Sequence, residues 1–193
     1  MTLVVGPILV AATRDRRAAI ATSIYVTLLA GMFGTSALLH RVEWRPRAFA
    51  IVRRADHAMI CAFTAGTYTP LCMLGVRTPA GTQLLVLAWA AAALGIVRAL
   101  VWPHAPRFVS ATLGVIGGWV VLAYLSDVRA AMDPLAFALV ILGGAWFTVG
   151  ALVFAARWPD PKPHVFGYHE VFHLITIVGC ACHFAAIAII ATG

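Results

Sequence analysis

Long apolar runs separated by short polar breaks limit the fold of this chain more than any other feature of its sequence. A helix needs roughly 20 apolar residues to cross the hydrocarbon core of a bilayer. Six runs reach that length, and they cover approximately residues 18–40, 56–76, 82–101, 108–126, 134–156 and 167–191. Each run predicts one membrane-spanning helix.

The composition also indicates a membrane protein. Hydrophobic residues make up 62% of the 193 residues and charged residues only 11%, whereas a soluble domain usually has about 25% charged residues. The mean hydropathy is +0.93. Because the breaks between the runs are too short to hold a soluble domain, we expect a single all-α membrane domain over residues 1–193.

A shorter apolar stretch, "TLVVGPILVAAT" at residues 2–13, precedes the six runs and predicts a helix over approximately residues 1–12. As a helix it would extend about 18 Å, which is short of a hydrocarbon core about 30 Å thick. We interpret it as the end of a longer first helix. The expected fold is therefore a seven-transmembrane-helix bundle with a shortened first helix.

The basic residues predict how the bundle is oriented. The formal net charge of +7 could indicate a nucleic-acid partner, but the arginines lie scattered at the ends of apolar runs and form no single basic face, so we expect none. Cytoplasmic loops of membrane proteins are enriched in Lys and Arg. Alternate loops carry nine of these cations on one side and five on the other. This asymmetry predicts a cytoplasmic N-terminus and an external C-terminus in the cell membrane.

Polar residues near segment ends are predicted to meet at one membrane face. His40 ends the second segment, Asp56 and His57 begin the third, and His169 and His173 begin the seventh. Residues four apart lie about 40° apart around an α-helix. His169 and His173 therefore project from one side of their helix.

This arrangement predicts a catalytic zinc site. Three neutral imidazoles can fill three positions of a tetrahedral Zn²⁺ ion and leave a fourth open for water. The candidate ligands are His40, His169 and His173. Asp56 is the candidate base for that water, and Ser36 lies one helical turn before His40.

The stretch "HEVFH" at residues 169–173 permits a second interpretation. It matches H-E-x-x-H, in which two histidines hold zinc and the glutamate is the general base of a protease. Glu170, however, lies about 100° around the helix from His169, and Asp56 is the better-placed carboxylate. We favour a position of Glu170 beside the site, or facing the lipid head groups, over a catalytic role.

Three blocks of sequence resemble a known family. They are "SALLH" at 36–40, "RRADHAMICAFTAGTYTP" at 53–70 and "FGYHEVFHLITIVGCACHFAAI" at 166–187. From its second segment onward the chain resembles the haemolysin III family, which belongs with the progestin and adipoQ receptors. The resemblance implies a seven-helix bundle with a zinc ion near the cytoplasmic surface. By motif position it implies His40, His169 and His173 as ligands, Asp56 as the residue holding the zinc-bound water, and Ser36 beside the site.

A zinc-activated water at the end of an apolar bundle is suited to hydrolysing a lipid amide or ester. The resemblance points to ceramidase-like chemistry, with membrane lipids as substrate or ligand. Two alternatives stay open: a receptor or sensor with a structural zinc, and the cytolytic, pore-forming activity in the family name. The sequence leaves the oligomeric state open.

Other residues carry predictions about packing. His183 is expected to point into the bundle about 21 Å deeper than His169 and to form a hydrogen bond there. Pro70 cannot donate to the Gly66 carbonyl, so a kink is expected at this point. The small-residue stretches at 114–118 and 142–144 favour close helix contact.

Overall fold

The structure is a computed structural model that describes residues 2–162 and 165–193, with side chains described from residue 4 onward. His164, for which the sequence predicts a solvated loop position beside proline, lies outside the described residues. The helices are α1 Thr2–Ala11, α2 Arg16–Arg41, α3 Pro46–Pro70, α4 Pro79–Val101, α5 Arg107–Gly118, α6 Leu125–Ala131, α7 Pro134–Ala156 and α8 Tyr168–Thr192. A π-helix, Leu71–Gly75, continues α3, and a 3₁₀-helix, Val120–Tyr124, joins α5 to α6.

Six stretches are long and apolar enough to cross a membrane. They are α2, α3 with its π-helix, α4, α5 through α6, α7 and α8. The expectation of an all-α membrane protein is confirmed for the described residues, whereas α1, with ten residues, is too short to count as a seventh span. The most buried span is α3, so residues on α3 lie nearest the middle of the bundle.

The predicted start of the third helix is wrong. The helix α3 begins at Pro46, ten residues before the predicted start at 56. Pro46 occupies the first helical position, where the fixed φ of proline favours a helix and the missing N–H is not needed. Asp56 and His57 therefore lie almost three turns inside α3 rather than at its beginning.

The predicted fifth helix, at 108–126, is interrupted after Gly118. The hydroxyl of Tyr68 on α3 donates to Gly118 O at 2.6 Å and accepts from the Val121 N–H at 3.2 Å, so one side chain satisfies two backbone groups at the break. The prediction of a close helix contact at 114–118 is wrong for Gly114 and Gly118. A methyl group added at either residue would meet nothing within 4 Å. This glycine stretch coincides instead with the end of a helix.

The predicted distortion at Pro70 takes the form of a change from α to π geometry. Val76 N–H donates to Leu71 O at 3.0 Å, which is the i to i+5 spacing of a π-turn. The hydroxyls of Thr67 and Thr69 donate to carbonyls one turn earlier in α3, those of Phe63 and Ala65. They do not donate to Gly66, the carbonyl that Pro70 leaves free.

Close packing between α7 and α8 fixes the helix that carries two of the three site histidines. A methyl group added at Gly143 would lie 3.2 Å from the Gly179 carbonyl oxygen and even closer to the His183 ring. His183 Nε2 donates to Val140 O at 3.1 Å. The predicted hydrogen bond of His183 and the close contact at 142–144 are both confirmed.

We expect Gly143→Ala to destabilise the protein, because the added methyl group would separate α7 from α8. Overpacking of this kind typically lowers the free energy of unfolding by about 1–3 kcal/mol. The matched control is Gly114→Ala on α5, which has open space around it and should be neutral or slightly stabilising. Thermal unfolding of the purified protein in detergent measures both. Equal melting temperatures for the two variants would contradict this account of the α7–α8 contact.

Candidate metal centre

The three predicted histidines meet where α2 ends and α8 begins. The Nε2 atom of His169 lies 3.3 Å from Nε2 of His40 and 3.0 Å from Nε2 of His173. One ring nitrogen from each of the three residues falls within 4.8 Å of the other two. His40 is exposed, whereas His169 and His173 are half-buried, so the group opens to the surface on the α2 side.

The spacing of the nitrogens fits a bound metal ion. Zn–N bonds of 2.0–2.1 Å in a tetrahedral site place the ligand nitrogens about 3.3–3.4 Å apart, close to the separations seen here. A neutral ring nitrogen offers either one N–H or one lone pair, so Nε2 of His169 cannot form well-aligned hydrogen bonds to both neighbours. An ion that accepts a lone pair from each ring removes this conflict. The three-histidine group could therefore hold a metal ion.

Two carboxylates fix the beginning of α8, where His169 lies in the first turn. Glu170 Oε2 accepts from the Gly167 N–H at 2.8 Å, and Asp160 Oδ1 accepts from the Tyr168 N–H at 2.9 Å. Both satisfy backbone donors that a helix N-terminus leaves free, and their charge suits the positive end of the helix dipole. In this structure the carboxylate of Glu170 binds the backbone of its own helix end.

The end of α2 carries His40 and, one turn earlier, Ser36. Trp44 folds back over this end, and its Nε1 donates to Leu38 O at 2.9 Å. Ser36 is half-buried. The four-residue spacing places Ser36 and His40 on the same side of α2, as the sequence predicts.

Asp56 lies on α3 beside this region and is buried, with 8% of its surface exposed. Its Oδ2 is 3.8 Å from Nδ1 of His57, but that nitrogen donates to the Arg53 carbonyl at 2.8 Å. Its helix packs against α2, the helix that carries His40. Asp56 does not belong to the group of mutually close metal ligands. Among the described residues, the His57 contact at 3.8 Å is too long for a hydrogen bond to its carboxylate.

Sequence reasoning missed Arg107, which it counted only as a loop cation. Arg107 Nη1 donates to the Tyr168 hydroxyl at 2.7 Å. Its guanidinium also stacks over the Phe154 and Tyr168 rings, 5.6 and 5.7 Å from their centroids. Phe154 and Tyr168 both border the His169 ring, with centroids 6.2 and 6.3 Å away. Arg107 thus connects the start of α5 with the two aromatic residues beside His169, a candidate metal ligand.

The fold and the site define an integral membrane protein of several helical spans with a three-histidine centre at one end of the bundle. The family profile described as Haemolysin-III related matches residues 1–184, and the chain belongs to the haemolysin III family. The family resemblance drawn from the sequence motifs is therefore confirmed.

Two bacterial relatives show the extent of the similarity. The chain is 28% identical over 169 residues to hemolysin-3 of Bacillus cereus, a match that covers 86% of this chain and 73% of the relative. It is 27% identical over 153 residues to a hemolysin-3 homolog of Bacillus subtilis (strain 168), which covers 79% of this chain and 68% of the relative. No solved structure gives a significant match.

We expect purified wild-type protein to carry about one metal ion per chain and His40→Ala to lose it. Loss of a supporting residue around a metal typically lowers affinity about 10–100-fold, and loss of a ligand should lower it at least as much. His104→Ala, at an exposed loop position, is the matched control and should retain the metal. Elemental analysis after dialysis measures all three proteins. Full metal content in His40→Ala would rule out a shared centre.

Proposed function

We propose that this protein is a zinc-dependent hydrolase of lipid amide or ester bonds. The observation that supports this most directly is the convergence of three histidine nitrogens with, among the described residues, no fourth protein ligand in the group. Structural zinc sites are usually closed by four protein ligands, whereas catalytic sites have three and keep one position open. The buried carboxylate of Asp56 beside the group favours the catalytic alternative.

Zinc is the proposed metal because it accepts an all-imidazole set of three ligands and imposes no geometry of its own. Imidazole also suits copper, iron and nickel, so the identity of the metal is part of the proposal. When bound, the ion would polarise a carbonyl oxygen and lower the pKa of a water molecule to about 7.

The residues of the chain have separate tasks in this reaction. His40, His169 and His173 would hold the metal. Asp56 accepts a proton from the attacking water while the oxygen of that water forms a bond to the carbonyl carbon. The bond from that carbon to the amide nitrogen or ester oxygen then breaks. Asp56 returns the proton to the leaving group, so the products are a fatty acid and an amine or alcohol. Ser36 lies beside His40 and is proposed to contact the reacting group.

A lipid substrate suits this site because the centre lies at the end of helices whose outer faces are apolar. Large exposed hydrophobic residues lie along several spans, among them Leu94, Val97, Val101, Leu152 and Leu174. Acyl chains can therefore remain in the hydrocarbon region while the polar bond reaches the histidines. Membrane lipids of the ceramide, acyl-amide or ester type are the proposed substrates.

We further propose that the histidine centre lies at the cytoplasmic face, with α1 contributing to a seventh span. The cations at this end of the bundle outnumber those at the other end by nine to five, as the positive-inside rule requires. Alkaline phosphatase fused after Gly193 should then be active in a bacterial host, and green fluorescent protein at the same position should be dark. The opposite pair of results would place the histidines outside.

The name of the Bacillus cereus relative, hemolysin-3, favours cytolysis as a second candidate function. A lipid hydrolase can lyse cells through its products, whereas a pore needs no chemistry. The two differ in whether lysis depends on Asp56.

We expect Asp56→Asn to retain its metal but to lose at least a hundredfold of the hydrolytic rate, because the amide cannot accept the proton and general base catalysis is typically worth about 10²–10⁴-fold. Glu170→Gln should keep most of the activity, since glutamine can still accept from the Gly167 N–H. Fatty-acid release from a panel of ceramides, acyl-amides and esters measures the rates.

The reverse pattern, with Glu170→Gln inactive and Asp56→Asn active, would restore the protease-like interpretation of H-E-x-x-H. Dye release from vesicles of non-hydrolysable ether lipids tests cytolysis separately. Rapid dye release from these vesicles by both wild type and Asp56→Asn would favour a pore. Absence of fatty-acid release from every substrate by zinc-loaded wild type would refute the hydrolase.

A further inference from the structure

A second feature lies at the other end of the bundle from the histidines. A cavity of about 590 Å³ opens between the start of α2, the π-helix after α3 and the start of α4. This volume is within the usual range of small-molecule sites, about 300–1,000 Å³. Along α2, Arg17 in this cavity is 23 residues from His40, or about 35 Å. The cavity is therefore separate from the metal centre.

The cavity has a buried apolar floor and a basic rim. Cys72 and Val76 form part of the floor, with 4% and 2% of their surfaces exposed. Arg17 and Arg77 line the rim and are exposed. Arg77 Nε donates to Leu74 O at 3.2 Å, which holds the side chain close to the cavity and leaves its terminal nitrogens free.

Neither arginine is neutralised by a carboxylate: in the described part of the chain, the only basic and acidic side chains within 4 Å of each other are His57 and Asp56. The nearest acidic residue in sequence is Asp15, which caps α2. Its Oδ1 accepts from the Ala18 N–H at 2.7 Å, so this carboxylate caps the N-terminus of α2. The two positive charges of the rim are thus available to an anion.

Uncharged donors and two helix N-termini add to this electropositive rim. Thr82 and Gln83 line the cavity on the first turns of α4. Gln83 Oε1 accepts from the Tyr124 hydroxyl at 3.1 Å, so its amide N–H groups are the part left to bind a ligand. Arg17 lies in the first turn of α2, and both helices present the positive ends of their dipoles here.

The backbone around the cavity is closely packed, which makes its shape fixed. A side chain at Gly81 would overlap the Val76 carbonyl oxygen, so only glycine lets the start of α4 approach the end of the π-helix this closely. Thr78 caps α4, and its Oγ1 accepts from the Gly81 N–H at 3.4 Å. The rim residues on α4 are therefore held at a set distance from Arg77.

We propose that this cavity is a binding site for a phosphate group, with Arg17 and Arg77 as its principal contacts. Guanidinium groups bind phosphate through paired charge-assisted hydrogen bonds, and Thr82 and Gln83 supply further donors. The apolar floor accommodates a carbon chain attached to the phosphate. Such a group is available both on a phospholipid of the adjacent leaflet and on a soluble phosphate compound.

The test compares two double variants of the full-length protein purified in detergent. Arg17→Gln/Arg77→Gln removes both rim charges. Arg14→Gln/Arg129→Gln removes two charges from the same end of the bundle but outside the cavity, and is the matched control. Each protein is titrated with phosphatidylglycerol, with diacylglycerol of the same chains and with inorganic phosphate. Bound lipid is counted by native mass spectrometry, and the melting temperature is followed by tryptophan fluorescence.

Wild type and the control should bind phosphatidylglycerol saturably and melt at a higher temperature in its presence. The Arg17/Arg77 variant should bind at least tenfold more weakly, because hydrogen bonds to charged groups are lost. A response to phosphatidylglycerol alone identifies the lipid head group as the source, and a response also to inorganic phosphate identifies soluble phosphate as sufficient.

An equal loss in both double variants, or a response to diacylglycerol as strong as that to phosphatidylglycerol, would overturn the proposal. Since Arg77 also donates to Leu74 O, its replacement can affect folding. If the double variant melts at a lower temperature than wild type without ligand, the binding of phosphatidylglycerol is compared between wild type and the single variant Arg17→Gln. Wild-type affinity for phosphatidylglycerol in that single variant would equally refute the site.

Discussion

The candidate metal centre depends on the position of α8 along its axis relative to α2. A shift of one residue along a helix moves a side chain by about 1.5 Å, which is comparable to a whole Zn–N bond of about 2.0 Å. Two features define the position of α8. The close contact at Gly143 and Gly179 packs α8 against α7, and the carboxylates of Asp160 and Glu170 fix where α8 begins.

The sequence could predict what depends on local periodicity and on the number of crossings. The spacing of His169 and His173 puts them on one side of any helix, and the count of spans places them at the same end as His40. It could not predict contacts between side chains distant in the chain. Two examples are the hydrogen bond from Arg107 to Tyr168 and the hydrogen bonds of Tyr68 at the break after Gly118. They join residues 50 or more positions apart, so no local sequence pattern predicts them. The start of α3 at Pro46 was missed for another reason, since its first turns lie in a basic segment that resembles a loop in composition.

The two carboxylates near the histidines illustrate why a motif needs its structural surroundings. Glu170 stands inside H-E-x-x-H, yet its position in the first turn of α8 gives it a strong local alternative, the free backbone N–H of Gly167. Asp56 belongs to no recognised protease motif, but it is buried on the central helix and has no competing donor from the backbone of its own helix end. The exposed carboxylate of Glu170 therefore stabilises the helix end, whereas the buried carboxylate of Asp56 is the one proposed to act as a base.

The burial of Asp56 also links it to the occupancy of the metal centre. An ionised carboxylate within a membrane span is costly and is usually retained only where it pairs with a cation or serves a function. The nearby imidazole of His57 already donates its Nδ1 proton to the Arg53 carbonyl. A divalent ion held by the three histidines would be the largest positive charge near this carboxylate. The proposed ion would thus stabilise the negative charge of the proposed base, and Asp56 and the histidines would then form one electrostatic unit although they come from three different helices.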